Sequence, residues 1–577
     1  MIVQGDISGI QDFVTNVAEG GGGQAKRLRA RSFAVQLLCE AAAVRVSVAL
    51  GWPIDLEHLV MSAAGHFILK GNEPAGSADQ LKILHGEMNK WLLEHLNGEV
   101  RLALGWSTDH GTELEQFHAS REMLNKSQQR PFASVVVAND GRWDFKAMVL
   151  RPLDTPCVLC RQQPGTVNEK DSDDGTIRII CKLCDRLRRF GRALTEPARS
   201  WLSITEIRAN EPPKDHSFEV FGLNASLESR MPNPAAVLAC TNLKDHTVGA
   251  QDGPFSKKWI RRQLGRSAPV SDSGEVLDFE DLAAKATGDR KLAIMKADGD
   301  GMGVYWSELL ASLAELSEYG MASGQFDDFS AREINHLIEQ AKTSTDPIQH
   351  RFRWIYTVYS GGDDLLFIGP WDVVFDFAGE VQRLFANRFG HLGLTISTGI
   401  AVAKHNWPVH RMAEMAEELL EMAKRVPARG ADQPRNQVAA LGEIWKWEDH
   451  QAVIEQGRQW ANWVNEKQIE RGTLRDIYEF SEARWGRRNQ GNDITNEIMA
   501  DARLDYLLTR RISQSRPRRQ TVQGQNSSGF EASGSNLQSH IERMKLSFTA
   551  PSGAEDRHLS ASLNYALLAT RSFKGGE

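Results

Sequence analysis

The stretch Tyr359-Ser360-Gly361-Gly362-Asp363-Asp364-Leu365-Leu366-Phe367 narrows the folds open to this chain more than any other. An apolar run from Trp354 to Tyr359 and a second from Leu365 to Ile368 predict two short strands, with two glycines and two acids at the bend. A tight hairpin needs residues that accept positive φ, and Gly361 and Gly362 are read as supplying them. Adjacent carboxylates at such a tip repel one another, and hard oxygen donors are what Mg²⁺ or Mn²⁺ prefers. Taken alone, Gly-Gly-Asp-Asp fits a solvated acidic turn as well as a metal site for phosphoryl chemistry. The rest of the chain has to decide.

The elements around the hairpin have a recognisable order. Lys291 to Lys296 reads as a strand, followed by Asp298-Gly299-Asp300-Gly301-Met302-Gly303 and helical residues 305–320. After a second helix comes the hairpin, then an amphipathic helix through Val374, Phe377, Val381, Leu384 and Phe385, and a closing strand from Leu394 to Val402. The same β-α-β-β-α-β order opens the chain: Ile2 to Asp6, an Ala/Val/Leu-rich helix from Phe33 to Leu50, a hairpin through Leu59–Ala63 and Phe67–Leu69, a helix striped by Leu84, Met88, Trp91, Leu92 and Leu96, and Val100 to Leu104. Met61-Ser62-Ala63-Ala64-Gly65-His66 aligns with Tyr359-Ser360-Gly361-Gly362-Asp363-Asp364, and Gly5-Asp6-Ile7-Ser8-Gly9 with Ala297-Asp298-Gly299-Asp300-Gly301. Two copies of one module are therefore expected. In the first, Gly65 and His66 replace the hairpin acids and Asp6 is the remaining candidate ligand, so that copy is read as chemically silent. The glycine run Gly20–Gly23 before Lys26 does not meet the spacing of a phosphate loop. The basic cluster Lys26, Arg27, Arg29 and Arg31 fits either a solvated helix start or a contact for a polyanion.

At 577 residues the chain exceeds a single core, and its 41% hydrophobic and 25% charged residues are those of an ordinary globular protein. The formal net charge of −7 gives no global signature of nucleic-acid binding. No uninterrupted apolar run of membrane-spanning length and no signal-peptide pattern occurs, which reads as a cytoplasmic protein without a membrane partner. Of six cysteines, four form Cys157-x-x-Cys160 and Cys181-x-x-Cys184, separated by twenty residues. In a reducing compartment this spacing predicts a four-thiolate zinc ribbon, structural because no coordination position stays open. Cys39 and Cys240 sit in apolar contexts and are expected to be buried. The run Arg186, Arg188, Arg189 and Arg192 fits a solvated helix face or an RNA-facing surface. From residue 196 to 286 the function is unreadable. Beyond Gly430 the pattern reads as helical, with Trp445, Trp447, Ile454, Trp460, Trp463 and Val464 as packing residues; a basic stretch ends at Arg516-Pro517-Arg518-Arg519, and Gln523 to Leu537 reads as a linker.

The expected fold is thus α+β: two ferredoxin-like palm domains of the nucleotide-cyclase type, a zinc-ribbon and helical insert between them, and a C-terminal α-helical domain. The boundaries are 1–150 for the degenerate first palm, 151–286 for the zinc-binding and linker domain, 287–430 for the second palm and 431–577 for the helical domain. In a palm, a carboxylate at the end of the first strand lies beside carboxylates on the central hairpin and holds one or two divalent cations for nucleotidyl transfer. Asp298, Asp363 and Asp364 are the candidate catalytic and metal-binding residues. Asp300 is a further candidate ligand only if the strand continues past Gly299. Lys424 fits a solvated helix position or a contact for a triphosphate.

Gly5-Asp6-Ile7-Ser8-Gly9-Ile10-Gln11-Asp12-Phe13, Leu28-Arg29-Ala30-Arg31-Ser32-Phe33, the double Cys-x-x-Cys and Tyr359–Asp364 together resemble the Cas10 family, the large subunit of type III CRISPR effector complexes. The resemblance runs from Met1 to about residue 430. It implies a target-RNA-activated synthase that joins ATP into cyclic oligoadenylate messengers with Mg²⁺ or Mn²⁺, assembled with small Cas subunits, guide RNA and target RNA. It also implies that both palms contact ATP, with Ser8, Ser62 to His66, Ser360, Gly361, Gly362 and Lys424 around the nucleotide. Many members begin with an HD-type nuclease domain; here the first palm starts at Met1 and no His-Asp dipeptide occurs, so cleavage of single-stranded DNA is not expected. Asp-Gly-Asp-Gly-Met-Gly also departs from the bulkier family pattern, which leaves the role of Asp300 open. The competing readings are a nucleotide-binding scaffold of an RNA-guided complex and a stand-alone cyclase or polymerase.

Overall fold

The computed structural model describes residues 1–15, 24–138 apart from 56, 64 and 109, 141–143, 154–170, 177–194, 196, 198–207, 216–243, 258, 267–271, 276–485, 539 and 557–571. The glycine run 20–23, the side chains of Lys26, Arg27 and Arg29, the basic stretch 516–519 and the linker 523–537 lie outside the described residues. The chain divides into two compact units: Met1–Asp281 with Gly301–Phe367 and Asn406–Ala413, and Leu282–Asp300 with Ile368–His405 and Glu414–Glu577.

In the first unit, β1 (Ile2–Ser8), β2 (Leu59–Ala63), β3 (His66–Lys70) and β4 (Arg101–Trp106) form an antiparallel sheet in the order β2-β3-β1-β4. Because β1 is central, Ile2 to Gly5 and Ile7 are buried, the polar Gln4 among them, while Asp6 and Ser8 stay partly exposed. The Gln24–Leu50 helix contains a window, Ala30–Leu50, long and apolar enough to cross a membrane, yet 83% of it is buried, as befits a core helix. The Glu113–Gln128 helix starts at a reciprocal capping box, the Thr112 side chain accepting from Glu115 N and the Glu115 carboxylate accepting from Thr112 N. Its Phe117 packs with Ile2, Ile68, Leu316 and Tyr319, which fastens the Leu316–Asp327 helix to this sheet. Between residues 154 and 243 stand a two-stranded ribbon, β5 (Val167–Lys170) and β6 (Ile177–Ile180), and a separate antiparallel sheet of β7 (Trp201–Glu206), β8 (Ser217–Val220), β9 (Leu223–Glu228) and β10 (Ala239–Asn242) in the order β10-β7-β9-β8.

The remaining sheet has six strands, β11 (Lys291–Asp300), β12 (Tyr356–Gly361), β13 (Asp364–Pro370), β14 (Thr395–Lys404), β15 (Gln437–Ala440) and β16 (Glu443–Lys446), in the order β12-β13-β11-β14-β15-β16. Its first four strands repeat the order of the N-terminal sheet. Two expectations need correction. Residues 437–446 are strands rather than helix: β15 runs parallel to β14, and a turn at Leu441 and Gly442, φ 52 and 92, returns the chain as β16. The run Val438-Ala439-Ala440 is too short to show a period, so only the open edge of β14 decides its conformation. Nor does β11 end near Asp298, as the glycines there suggest; it continues through Asp300 and stops at Gly301, whose φ is 79.

The register exposes a third correspondence between the copies. Gly105 on β4 lies opposite Gln4, and Gly399 on β14 lies opposite Lys296. A Cβ on Gly105 would stand 2.2 Å from Ser120 O, and one on Gly399 2.2 Å from Ala416 O. In each copy a glycine lets the following helix, Glu113–Gln128 or Val409–Arg425, lie directly on the closing strand. Behind the second copy, the buried His450 of the Trp447–Asn465 helix donates from Nε2 to Phe375 O at 2.9 Å and accepts from Trp445 Nε1 at Nδ1 at 3.2 Å. Both nitrogens are committed in the neutral form, and burial pushes its pKa down to about 4.

Two measurements test this packing. Gly399→Ala should cost about 1–3 kcal/mol, because backbone rather than a flexible side chain fills the space, and should lower the thermal midpoint. For His450 the folded pKa lies below the unfolded one, so its contribution is complete above about pH 6.5 and is lost as pH falls toward 4. Melts between pH 7.5 and 4.5 should therefore fall less steeply in His450→Gln than in the parent.

Candidate functional site

The four cysteines of the paired knuckles come together, their sulfurs all within 4.8 Å of one another. Cys157 O accepts from Arg161 N at 2.8 Å and Arg161 takes a φ of 58, which closes the turn of the knuckle just after Cys160. Cys181 caps the Lys182–Ala193 helix and its sulfur accepts from Cys184 N at 3.3 Å. So many thiols at contact distance cannot all ionise: the pKa values of Cys181 and Cys184 are pushed up, chiefly by Cys157 and Cys160. A soft divalent cation removes that conflict, and four sulfurs in a compact cluster fit tetrahedral zinc. The knuckle is also tied to the first sheet's module, since Gln163 donates to Asn97 Oδ1 at 2.8 Å and Asn97 to Gln162 O at 3.0 Å. The arginines after the last cysteine are engaged within the chain: Arg188 with Glu169 and Asp185, and Arg189 with Asp185. Cys39 and Cys240 are buried, as their apolar contexts predict.

At the β12–β13 hairpin only Gly362, φ 63, adopts positive φ, with Asp363 after it as the second turn residue. Gly361 ends β12 in ordinary extended conformation, contrary to the sequence reading; it is small because a Cβ there would come within 2.8 Å of Tyr359 Oη. Glycine at the first central position of a two-residue loop suits the twist of the flanking strands. Asp364 is the first residue of β13. Burial, with the charge of Asp364 added, pushes the Asp363 carboxyl up to about 6. A carboxyl so disfavoured as an anion is what a bound cation relieves, so the oxygen donors here fit Mg²⁺ or Mn²⁺. The hydroxyl of Ser360 is committed elsewhere, donating to Ser330 O at 2.6 Å. Ser330 lies in the π-helical segment Asp328–Glu333, whose widened turn accompanies that side-chain bond to its carbonyl.

On β11, alternation places Lys296, Asp298 and Asp300 on one face. Asp300 is buried and its carboxylate accepts from Thr395 Oγ1 at 2.9 Å, from Ser397 Oγ at 2.8 and 2.9 Å, and from Asn436 N at 2.9 Å. It clasps β14 and the approach to β15. Asp298 pairs with Lys424 of the Val409–Arg425 helix, and Lys424 Nζ also lies 3.5 Å from Gly299 O. Burial first, then the charges of Arg435 and Lys296, push Lys424 down to about 8. Lys296 pairs with Glu417 on the same helix.

The first copy has the same skeleton with different charges. Asp6 faces His66 across β1 and β3, with His66 Nδ1 at 3.6 Å, and accepts from Gln128 Nε2 at 2.8 Å. Burial pushes the Asp6 carboxyl up, but His66 and then Gln128 outweigh it and hold the group below the usual range. Gln128 lies eight residues beyond Ser120, as Lys424 lies eight beyond Ala416, so these two side chains are counterparts. Gln4 is the counterpart of Lys296 and donates to Phe117 O at 3.0 Å and Ser120 Oγ at 2.8 Å. Ser8 ends β1 opposite Arg101, as Asp300 lies opposite Thr395. Ser62 is half-buried on β2, its Oγ 4.0 Å from Cys39 Sγ. Sequence reasoning missed Gln128, Lys296, Glu417 and Asn436; the paired glycines 105 and 399 were the signal that would have aligned the helices.

Two family models match: the Csm1 subunit domain B over residues 1–136, and the second palm domain of Cas10/Cmr2 over residues 291–433. Among curated proteins, the Cas10/Csm1 single-strand-specific deoxyribonuclease of the subtype III-A CRISPR system of Thermococcus onnurineus is 26% identical over 453 residues, 77% of this chain and 55% of that protein. Over both of these stretches the chain resembles the Cas10/Csm1 family. Its Cas10/Csm1 relative in Methanocaldococcus jannaschii is 26% identical over 461 residues, covering 73% of this chain and 56% of that one, so the chain spans about half the length of the curated relatives it matches. A chain of the apo Csm1–Csm4 cassette crystal structure superposes with a TM-score of 0.66 at 20% identity, covering 99% of this chain and 70% of that one. The cassette in complex with one ATP gives 0.65 at 20% identity, covering 99% and 70%, and that in complex with cA3 gives 0.63 at 20%, covering 99% and 69%.

The thiol cluster yields a direct test. Purified protein should carry about one zinc by elemental analysis, and Cys157→Ser or Cys184→Ser should lose it, lower the thermal midpoint and speed proteolysis between residues 154 and 194.

Proposed function

We propose that this chain is a Cas10/Csm1-type nucleotidyltransferase that joins ATP into cyclic oligoadenylates when its type III complex engages target RNA. The observation that carries the reading is the hairpin: half-buried, mutually repelling carboxyls at Asp363 in the turn and Asp364 at the start of β13, in the stretch matched by the second palm model, with β13 next to β11 in the sheet order. Solved family relatives in complex with ATP and with cA3 and cA4 support the same substrate and product class.

In this reading Asp298, Asp363 and Asp364 hold Mg²⁺ or Mn²⁺. When bound, the ion neutralises the triphosphate and lowers the pKa of the attacking hydroxyl. Gly362 leaves the first turn position without a side chain and Gly361 ends the strand before it, so backbone there can approach the phosphates. Asp300 acts as a positioning residue, since its oxygens already secure Ser397, Thr395 and the Asn436 backbone and thereby hold the end of β11 in place. Lys424 offers an ammonium to phosphate oxygens. The first copy, with Asp6 held by His66 and Gln128, contributes a metal-free nucleotide surface through Ser8 and Ser62. The division into palm 1–150, zinc and linker region 151–286, palm 287–430 and helical region 431–577 belongs to the same proposal, with zinc as the structural ion. So do assembly with small Cas subunits, guide RNA and target RNA, and a cytoplasmic location. The deoxyribonuclease activity in the relatives' names is not carried over.

Mass spectrometry of ATP-derived products from the assembled complex, with Mn²⁺ and with or without complementary RNA, tests the function. Cyclic oligoadenylates are expected only with complementary RNA, and Asp363→Ala with Asp364→Ala should reduce them by roughly a hundredfold or more. Tight ATP binding without products under every activating condition would instead favour the scaffold reading.

A further inference from the structure

The two copies share a side chain that reaches from the same place on the same helix to the same strand acid. In the first copy it is Gln128 on Asp6; in the second it is Lys424 on Asp298. In the first copy the group that reaches from the helix is a neutral amide, Gln128 at 2.8 Å, and the counter-charge comes from His66 on the neighbouring strand. The positive charge of Lys424 is an addition peculiar to the copy with hairpin acids, and it calls for a separate explanation.

The surroundings of Lys424 supply one. Its ammonium touches one carboxylate and one carbonyl, Asp298 and Gly299. The charges of Lys296 and Arg435 act against it, and its burial disfavours the charged form further. Lys296 has Glu417 as a partner and Asp300 is occupied by hydroxyls and a backbone amide, so neither competes for this contact. Lys424 is 20% and Asp298 34% exposed, which leaves the pair open to exchange with solutes. Among the described residues this ammonium is held by a single anion, Asp298, the carboxylate that the metal reading assigns to a divalent cation.

Building on the metal reading of Asp298, we infer that Lys424 is the resident counter-ion of that carboxylate and couples metal binding to nucleotide binding through its release. Without nucleotide, Lys424 competes with the divalent cation for Asp298. A triphosphate offers the ammonium several anionic oxygens in exchange for one carboxylate, and its arrival frees Asp298 for the metal. By linkage the metal tightens the nucleotide by the same factor that the nucleotide tightens the metal. The first copy, with Gln128 in place of the lysine and His66 in place of the hairpin acid, has no such exchange.

Mn²⁺ binding to the full chain, followed by electron paramagnetic resonance with and without an ATP analogue that cannot be cleaved between the α- and β-phosphates, tests this. Lys424→Gln keeps a hydrogen-bond donor on Asp298, as in the first copy, and thermal melts will show whether it folds like the parent. The parent should bind the Asp298-dependent Mn²⁺ weakly alone and several-fold tighter with the analogue. Lys424→Gln should bind it several-fold tighter than the parent without nucleotide, and the analogue should add little. Equal or weaker nucleotide-free binding in Lys424→Gln, or an undiminished effect of the analogue, overturns the inference alone. If Asp298→Asn binds Mn²⁺ as the parent does, both the inference and the metal reading beneath it fail.

Discussion

A carboxylate drawn out of water at the end of a central strand must find a counter-charge, and each β-α-β-β-α-β module of this chain is arranged around one such group. Asp6 and Asp298 occupy equivalent places, each on the strand between a hairpin and a closing strand. Each is reached by a side chain from the helix after the closing strand. That reach depends on Gly105 and Gly399, which bring the helix backbone onto the strand at a distance no Cβ would permit. The glycine, the helix and the acid therefore form one mechanical unit, and what varies between the copies is the charge placed in it.

In the first copy the charge problem is solved internally. His66 faces Asp6 across the strand pair and Gln128 completes the shell, so the carboxylate is content without an ion. The second copy leaves a deficit. Asp363 is held in a state that disfavours its own charge, Asp298 has the lysine as its one counter-charge among the described residues, and Lys424 is pressed by two other cations. Such unresolved electrostatics cost stability and are usual where a protein must bind and turn over a charged substrate. The contrast explains why one module keeps the shape and the other is proposed to keep the chemistry.

Much of this is legible in the residues. Cys-x-x-Cys pairs announce a metal cluster because a thiolate knuckle requires that spacing and little else. The hairpin can be placed because glycine and paired acids are poor strand formers between two apolar runs. Other features cannot be read. Val438-Ala439-Ala440 is too short and too uniformly small to declare itself a strand, and Trp445, which fits a helical pattern with Trp447, stands on β16. Gly361 resembles a turn residue, yet the space that Tyr359 occupies, not φ, makes it glycine.

The amino-acid sequence by itself determined the order of elements within the two modules, the resemblance to a family, the four cysteines and the identity of the candidate acids, because these follow from local periodicity and from residue types that few other contexts use. Only the tertiary structure decided which acid does what. Asp298 and Asp300 stand two residues apart and look alike in the chain. One is saturated by Ser397, Thr395 and the Asn436 backbone, and the other is left to Lys424. Their partners lie about a hundred residues or more away, and register, burial and the close passage of a helix over Gly399 bring them together.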